Sequence, residues 1–416
     1  MKNNKKPKIL LLNLWRVNNA TGGTEKVFFD MGNNLDRLGY QVFCVSYDVG
    51  EGRPLFSLSD TVSYRNLAEN SPNSSDSSRE FSFIIDRAIR IGRTSYHNFV
   101  NKFPLFDKPI RIVKQYLIKA GKGHLINQYI SEISPDLIIS FQPEATDVVL
   151  GRKGAGTKVI TMFHMNPLAQ FEQDKELFIN SLKKSAAIQT LRPEFRGQLI
   201  QKTGVKNVVY IPNIVPEHSI KADLDSKVIT FLGRFDKLQK RPHLLVEAFS
   251  RIAYSFPDWI VKLYGEFNLD PEYTNYIREI IKKWSLDDRI LLMGVTDKPL
   301  MSLRESSIFV LPSSSEGFGL ALTEAMSLGL ACVGIKDCDA VDGILIDRQN
   351  GLLAEPDPTS IATAIGELIQ DSVLRKRLGS QAKVSVEEFK PNKVWPLWDE
   401  LITKTLAGEE PTNRYD

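Results

Sequence analysis

Ser313-Ser314-Ser315-Glu316-Gly317-Phe318-Gly319-Leu320-Ala321-Leu322-Thr323-Glu324-Ala325-Met326 follows an apolar run that ends at Leu311-Pro312. A strand stopped by proline, a loop of small residues and then a helical pattern read as strand–turn–helix, with the helix starting near Phe318. The amides at a helix start have no partner within the helix, and the dipole makes them attractive to hydroxyl and phosphate oxygens. Gly317 and Gly319 allow close approach to the backbone. The run Gly317, Phe318, Gly319, Leu320 is therefore the candidate binding backbone. Glu316 stands at the mouth of the loop and Glu324 about one and a half turns into the helix. With a rise of ~1.5 Å per residue, the two carboxylates can touch different parts of one ligand. Each can accept hydrogen bonds from two neighbouring hydroxyls of a ribose or hexose.

Outward from this stretch, short β-branched runs alternate with helical patterns, the signature of parallel sheets built from βαβ units. In the first half, strands are expected near Lys8–Asn13, Gln41–Ser46, Asp136–Phe141, Lys158–Phe163, Ala186–Thr190 and Asn207–Ile211. In the second half they are expected near Lys227–Leu232, Ile260–Tyr264, Arg289–Met293, Ile308–Leu311 and Ala331–Ile335. A chain of 416 residues accommodates two such domains. The expected boundaries are residues 1–213, with a polar and basic insertion at about 68–125, then 214–390. A last helix follows in 391–416, whose Trp395 and Trp398 are expected to dock it back on the first domain. Ile211–Pro216, with two prolines, is the expected hinge.

Further motifs lie in sequence order around the first. Phe231-Leu232-Gly233-Arg234 opens a loop that continues to Lys240-Arg241-Pro242 before a helical run; Ala20-Thr21-Gly22-Gly23-Thr24-Glu25-Lys26 follows the first strand; Thr161-Met162-Phe163-His164 ends another strand. With Glu316 and Glu324 forming an E-x7-E pattern, the chain resembles glycosyltransferase family 4 of the GT-B fold, whose members are retaining enzymes with two facing Rossmann-like domains. The resemblance covers nearly the whole chain. It implies that Glu324 takes the ribose hydroxyls of a nucleotide-sugar donor, UDP-linked by family habit, and that Glu316 with the Gly317–Gly319 amides takes the sugar. It implies that Arg234 and Lys240 grip the diphosphate, with Lys237 a rival because this loop is one residue longer than in many members. A guanidinium and an ammonium would neutralise charge on the departing diphosphate, so no metal and no cofactor beyond the donor are expected. Gly22 and Gly23 would face the diphosphate and acceptor, His164 would position sugar hydroxyls, and Gly294 would lie beneath the base. The implied activity is a hexosyl transfer to a glycan, lipid-linked or protein acceptor. One departure is Phe267, where many members carry a second glycine after Gly265.

Composition narrows the setting. Net charge is only +3, yet from Arg79 to Lys122 ten Lys and Arg face three acids. This block is a candidate contact, through residues 87–122, for anionic membrane or an anionic acceptor; a solvated helical face is the plainer reading. No apolar stretch reaches membrane-spanning length, and three scattered cysteines make no disulfide framework, so a cytoplasmic site, peripheral at the inner face of the membrane, is expected. No nucleic-acid motif accompanies the basic block, so nucleic acid is not an expected partner. The tripeptides Asp223-Leu224-Asp225 and Asp337-Cys338-Asp339 are metal-binding patterns elsewhere, but lack the strand-end context. The alternatives left open are a nucleotide-sugar epimerase and a non-catalytic GT-B scaffold subunit.

Overall fold

The computed structural model describes residues 6–20, 22–48, 52–68, 123–151, 156–167, 179–268, 270–336 and 338–411. The basic block at 87–122 and most of the expected insertion lie outside them.

Among the described residues, strands β1 (Lys8–Asn13), β2 (Gln41–Ser46), β3 (Ser63–Asn66), β4 (Leu137–Ser140), β5 (Lys158–Met162), β6 (Ala187–Thr190) and β7 (Val208–Tyr210) form one sheet. Its order is β3-β2-β1-β4-β5-β6-β7, with every pairing parallel. Strands β8 (Val228–Leu232), β9 (Ile260–Tyr264), β10 (Ile290–Gly294), β11 (Ile308–Val310), β12 (Ala331–Ile335) and β13 (Leu352–Ala354) form the second. Its order is β10-β9-β8-β11-β12-β13, again parallel throughout. Each sheet is doubly wound. Its winding reverses between β1 and β4, or between β8 and β11, and such switch points open a crevice beyond the carboxyl ends of the strands.

The period-two alternation of a strand explains the cores. Along β1, Ile9 and Leu11 pack with Phe28, Phe29 and Leu35 of the helix Gly23–Arg37, while Leu10 and Leu12 face Ile126, Tyr129 and Ile130 on the other side. The second sheet is sandwiched in the same way between two apolar layers.

Two strands escape the sequence reading. β3 reads Ser-Tyr-Arg-Asn, an edge strand too polar to stand out, and β13, Leu-Leu-Ala, is only three residues long. The helix expected to start near Phe318 starts at Leu320, because Gly319 caps it with φ +76°, a left-handed conformation that favours glycine.

The chain passes between the sheets twice, side by side. Val215 N–H donates to Phe389 C=O at 2.9 Å, tying the outgoing link to the returning one. The final helix, Pro391–Ala407, then presents Val394, Trp398, Leu401 and Ile402 to the core of the first sheet. Tyr40 Oη donates to Asp399 (3.0 Å) and Lys158 Nζ to the carbonyl of Leu406 (2.8 Å), holding that helix at its middle and its C-terminal end.

Candidate active site

The loops after β8 and β11 meet at the switch point of the second sheet and brace one another. Ser314 N–H donates to Gln239 C=O (2.8 Å), Gln239 Nε2 to Ser315 C=O (3.1 Å), and Arg241 Nε to Pro312 C=O (2.9 Å). Asp236 Oδ1 accepts from the amides of Leu238 (2.9 Å) and Gln239 (2.6 Å), which folds this loop into a turn. That turn sends the two lysines apart. Lys240 reaches Glu316, its Nζ hydrogen-bonded to Oε1, whereas Lys237 points away over the ring of Tyr276. Both members of the Lys240–Glu316 pair are largely buried. Arg234 lies on the same loop and donates from Nη2 to Gln239 Oε1 (3.1 Å).

Glu324 follows in the first turns of the helix Leu320–Leu328 and is only 6% exposed. Burial raises its carboxyl above the ordinary range, Lys26 pulls it down and Asp30 pushes it up again. Phe318 turns its ring into the core against Phe389 (5.0 Å between centroids), so its backbone is what remains for a ligand. Gly294 closes β10 with φ +79°, and a Cβ placed there would stand 4.0 Å from Phe267, whose ring in turn meets Phe235 edge-on.

The first sheet supplies the opposite wall. Lys26 Nζ lies 3.9 Å from Glu324 Oε1 and 2.9 Å from Asp30. A Cβ on Gly23 would stand 2.6 Å from Leu320 Cδ1, and one on Gly317 would stand 1.9 Å from the carbonyl oxygen of His164. The His164 ring stacks on Phe141 at 5.1 Å, and burial drives its pKa down to about 3, so the imidazole is neutral. Its Nε2 and the hydroxyl of Ser313 are buried without a hydrogen-bond partner among the described residues. Buried polar atoms of this kind are ordinarily satisfied by water or a ligand.

The structure thus brings Glu316, Glu324, Arg234, Lys240, Gly317, Gly319 and Leu320 to one face of the cleft and Gly22, Gly23 and His164 to the other, with Gly294 at the end of β10. Cross-cleft contacts that the sequence reading did not assign join these walls. Asn166 Nδ2 donates to Asp339, Arg192 Nη1 donates to Ala340 C=O (2.7 Å), and Arg16 lies 3.9 Å from Glu266. The signal for Asn166 was its place two residues beyond His164; nothing marked Arg192. Of the tripeptides weighed as metal patterns, Asp225 pairs with Lys376 (2.8 Å), Asp339 accepts from Asn166, and Asp337 lies outside the described residues. The three cysteines are buried free thiols, and no described helix is long and apolar enough to cross a membrane.

Two facing Rossmann-like domains with this cleft constitute the GT-B fold, and solved structures agree. Sucrose-phosphate synthase from Thermosynechococcus elongatus superposes with a TM-score of 0.75 at 16% identity, covering 97% of this chain and all of that one. A point mutant of S. aureus TarM, solved with fondaparinux, alpha-GlcNAc-glycerol and UDP, gives 0.73 at 15% identity over 96% of this chain and 99% of that one. Residues 216–385 match the family Glycosyl transferases group 1. N-acetyl-alpha-D-glucosaminyl L-malate synthase of Bacillus anthracis is 31% identical over 186 residues, 44% of this chain and about half (47%) of that relative's length. An uncharacterized glycosyltransferase of Haemophilus influenzae aligns over 92% of this chain and 97% of its own at 21% identity.

Proposed function

We propose that this protein is a retaining, metal-independent glycosyltransferase that moves a hexose-type sugar from a UDP-sugar to a glycan, lipid-linked or protein acceptor in surface polysaccharide or glycoconjugate synthesis. The observation that carries the reading is the meeting of Glu316, Glu324, Arg234 and Lys240 at a sheet switch point, closed over by Gly23 and His164 of the other domain. A carboxylate over the first turns of a helix suits ribose hydroxyls, and two cations beside it suit a diphosphate.

In this mechanism Glu324 holds the ribose, and Glu316 and the Gly317–Gly319 backbone hold the sugar. The bond from the anomeric carbon to the diphosphate oxygen breaks while the acceptor oxygen bonds from the same face. The departing phosphate oxygen takes the acceptor's proton, and Arg234 and Lys240 neutralise the charge that develops there. His164, neutral because it is buried, holds a sugar hydroxyl through Nε2 and moves no proton. UDP is the first nucleotide to try because a structural neighbour binds it.

Calorimetric binding of UDP, GDP, ADP and CDP in EDTA, to wild type and Glu324→Ala, tests the donor site. Binding of one nucleotide, weakened in the variant, supports it and selects the donors to screen for transfer. Failure of well-folded protein to bind any of them overturns it.

A further inference from the structure

One charged group in the cleft has no part in the transfer above. Glu25 lies in the first turn of the helix Gly23–Arg37. Its carboxylate bends back over the glycine turn: Oε2 lies 2.2 Å from where a Cβ on Gly22 would stand, and it accepts from its own backbone N–H. It therefore covers the helix start, where unpaired amides and the dipole favour an anion.

The charges facing it come from both domains. Arg234 of the second domain and Arg16 beyond β1 favour the ionised form, while Asp48 beyond β2 opposes it. Asp48 is held in place by the amides of Val17 (2.8 Å) and Asn18 (2.7 Å). Next along the helix, Lys26 turns toward Glu324. The same turn of helix thus carries an acid folded over Gly22, within the field of the opposite domain's arginine, and a base beside that domain's glutamate. Burial outweighs the two arginines, and the Glu25 carboxyl titrates above the ordinary range.

We propose that Glu25 holds the place of the donor diphosphate in the unliganded cleft and competes with it for Arg234, so that the diphosphate binds with Glu25 protonated. This rests on the donor-site reading above. A diphosphate brought to Arg234 adds negative charge beside a carboxylate that burial already disfavours, and the response is uptake of one proton from solvent. Neutral Glu25 then donates its O–H to a phosphate oxygen. The liganded state binds more protons than the free one, so affinity for a nucleoside diphosphate falls as pH rises. Loss of that proton after transfer restores the competing carboxylate and favours release of the product.

The test is calorimetric titration of UDP, in EDTA, into wild type and Glu25→Gln at pH 6 and pH 8, each in two buffers of different ionisation heat. The variant is expected to bind about fivefold tighter at pH 8, the size of one partly screened charge, with the advantage shrinking at pH 6. Wild type should take up more protons than the variant, the subtraction removing any contribution from the phosphate itself. Equal or weaker binding by Glu25→Gln with unchanged proton uptake overturns the proposal and leaves the donor site standing. Binding of UDP by neither protein overturns both. Should Glu25→Gln not fold, Glu25→Ala, which removes the same carboxylate, takes its place in both comparisons.

Discussion

The backbone of Gly317 lies against the carbonyl of His164, so close that a methyl group on Gly317 would stand 1.9 Å from that oxygen. The contact joins one domain to the other, and the obstacle is main chain on both sides, which no side-chain rotation can relieve. Gly317→Ala is expected to wedge the cleft open while both cores stay folded. Donor turnover should fall on the order of a hundredfold, as misplacement by about an ångström does, with the melting temperature little changed. Near-normal turnover would show that the domains need not approach this closely.

Glu316 and Lys240 neutralise each other in a largely buried pair. Removing one partner strands the other. Lys240→Met is expected to lower stability by about 2–3 kcal/mol, less than the ~3–5 kcal/mol of a fully buried pair. Lys240→Met with Glu316→Gln should recover part of that loss. Denaturant midpoints of the three variants check this, and additive losses would mean the pair is not coupled.

Glu324 is disfavoured as a carboxylate by burial in the free protein. Its folded carboxyl titrates above its unfolded value, so the folded state holds more protons between the two, and stability falls as pH rises through that window. Glu324→Gln is expected to be more stable than wild type at neutral pH, with the difference vanishing below the unfolded carboxyl's pKa. The same change should weaken nucleotide binding by about tenfold to a hundredfold, the ~1.5–3 kcal/mol of a charged hydrogen bond. Thermal melts across pH together with calorimetry separate the two effects.

His164 runs the other way. With its pKa driven down to about 3 from an ordinary 6.5, the unfolded state binds the extra proton first as pH falls. Its contribution to stability is complete above pH 6.5 and drains away between there and pH 3. His164→Gln is expected to flatten the acid limb of the stability curve and to lower turnover without shifting its pH optimum. A proton NMR signal from His164 that titrates between about pH 5 and 8, where an unperturbed imidazole changes charge, would contradict this.

The parallel strands were legible because buried apolar runs such as Ile9–Leu12 in β1 and Ala331–Ile335 leave no polar alternative. β3 was not, since an edge strand exposes one side to water and tolerates Ser, Tyr, Arg and Asn. At the cleft, Glu316, Arg234 and the glycine turns stood out through their spacing, but that Lys240 and not Lys237 meets Glu316 depended on a turn made by Asp236. Glu25 and Lys26 were visible only as helix-start residues. Their partners Arg234 and Glu324 lie far along the chain in the second domain, and no local pattern encodes a contact between domains.

The paired crossing at Val215 and Phe389 constrains how the molecule can move. Two adjacent strands of chain, clamped by a hydrogen bond and by a terminal helix rooted in the first core, leave little freedom to slide or swivel. What survives is rotation about one line, like a book turning on its spine. Entry and exit at the cleft then become alternate positions of a single angular coordinate, which one bifunctional reagent across the covers could freeze.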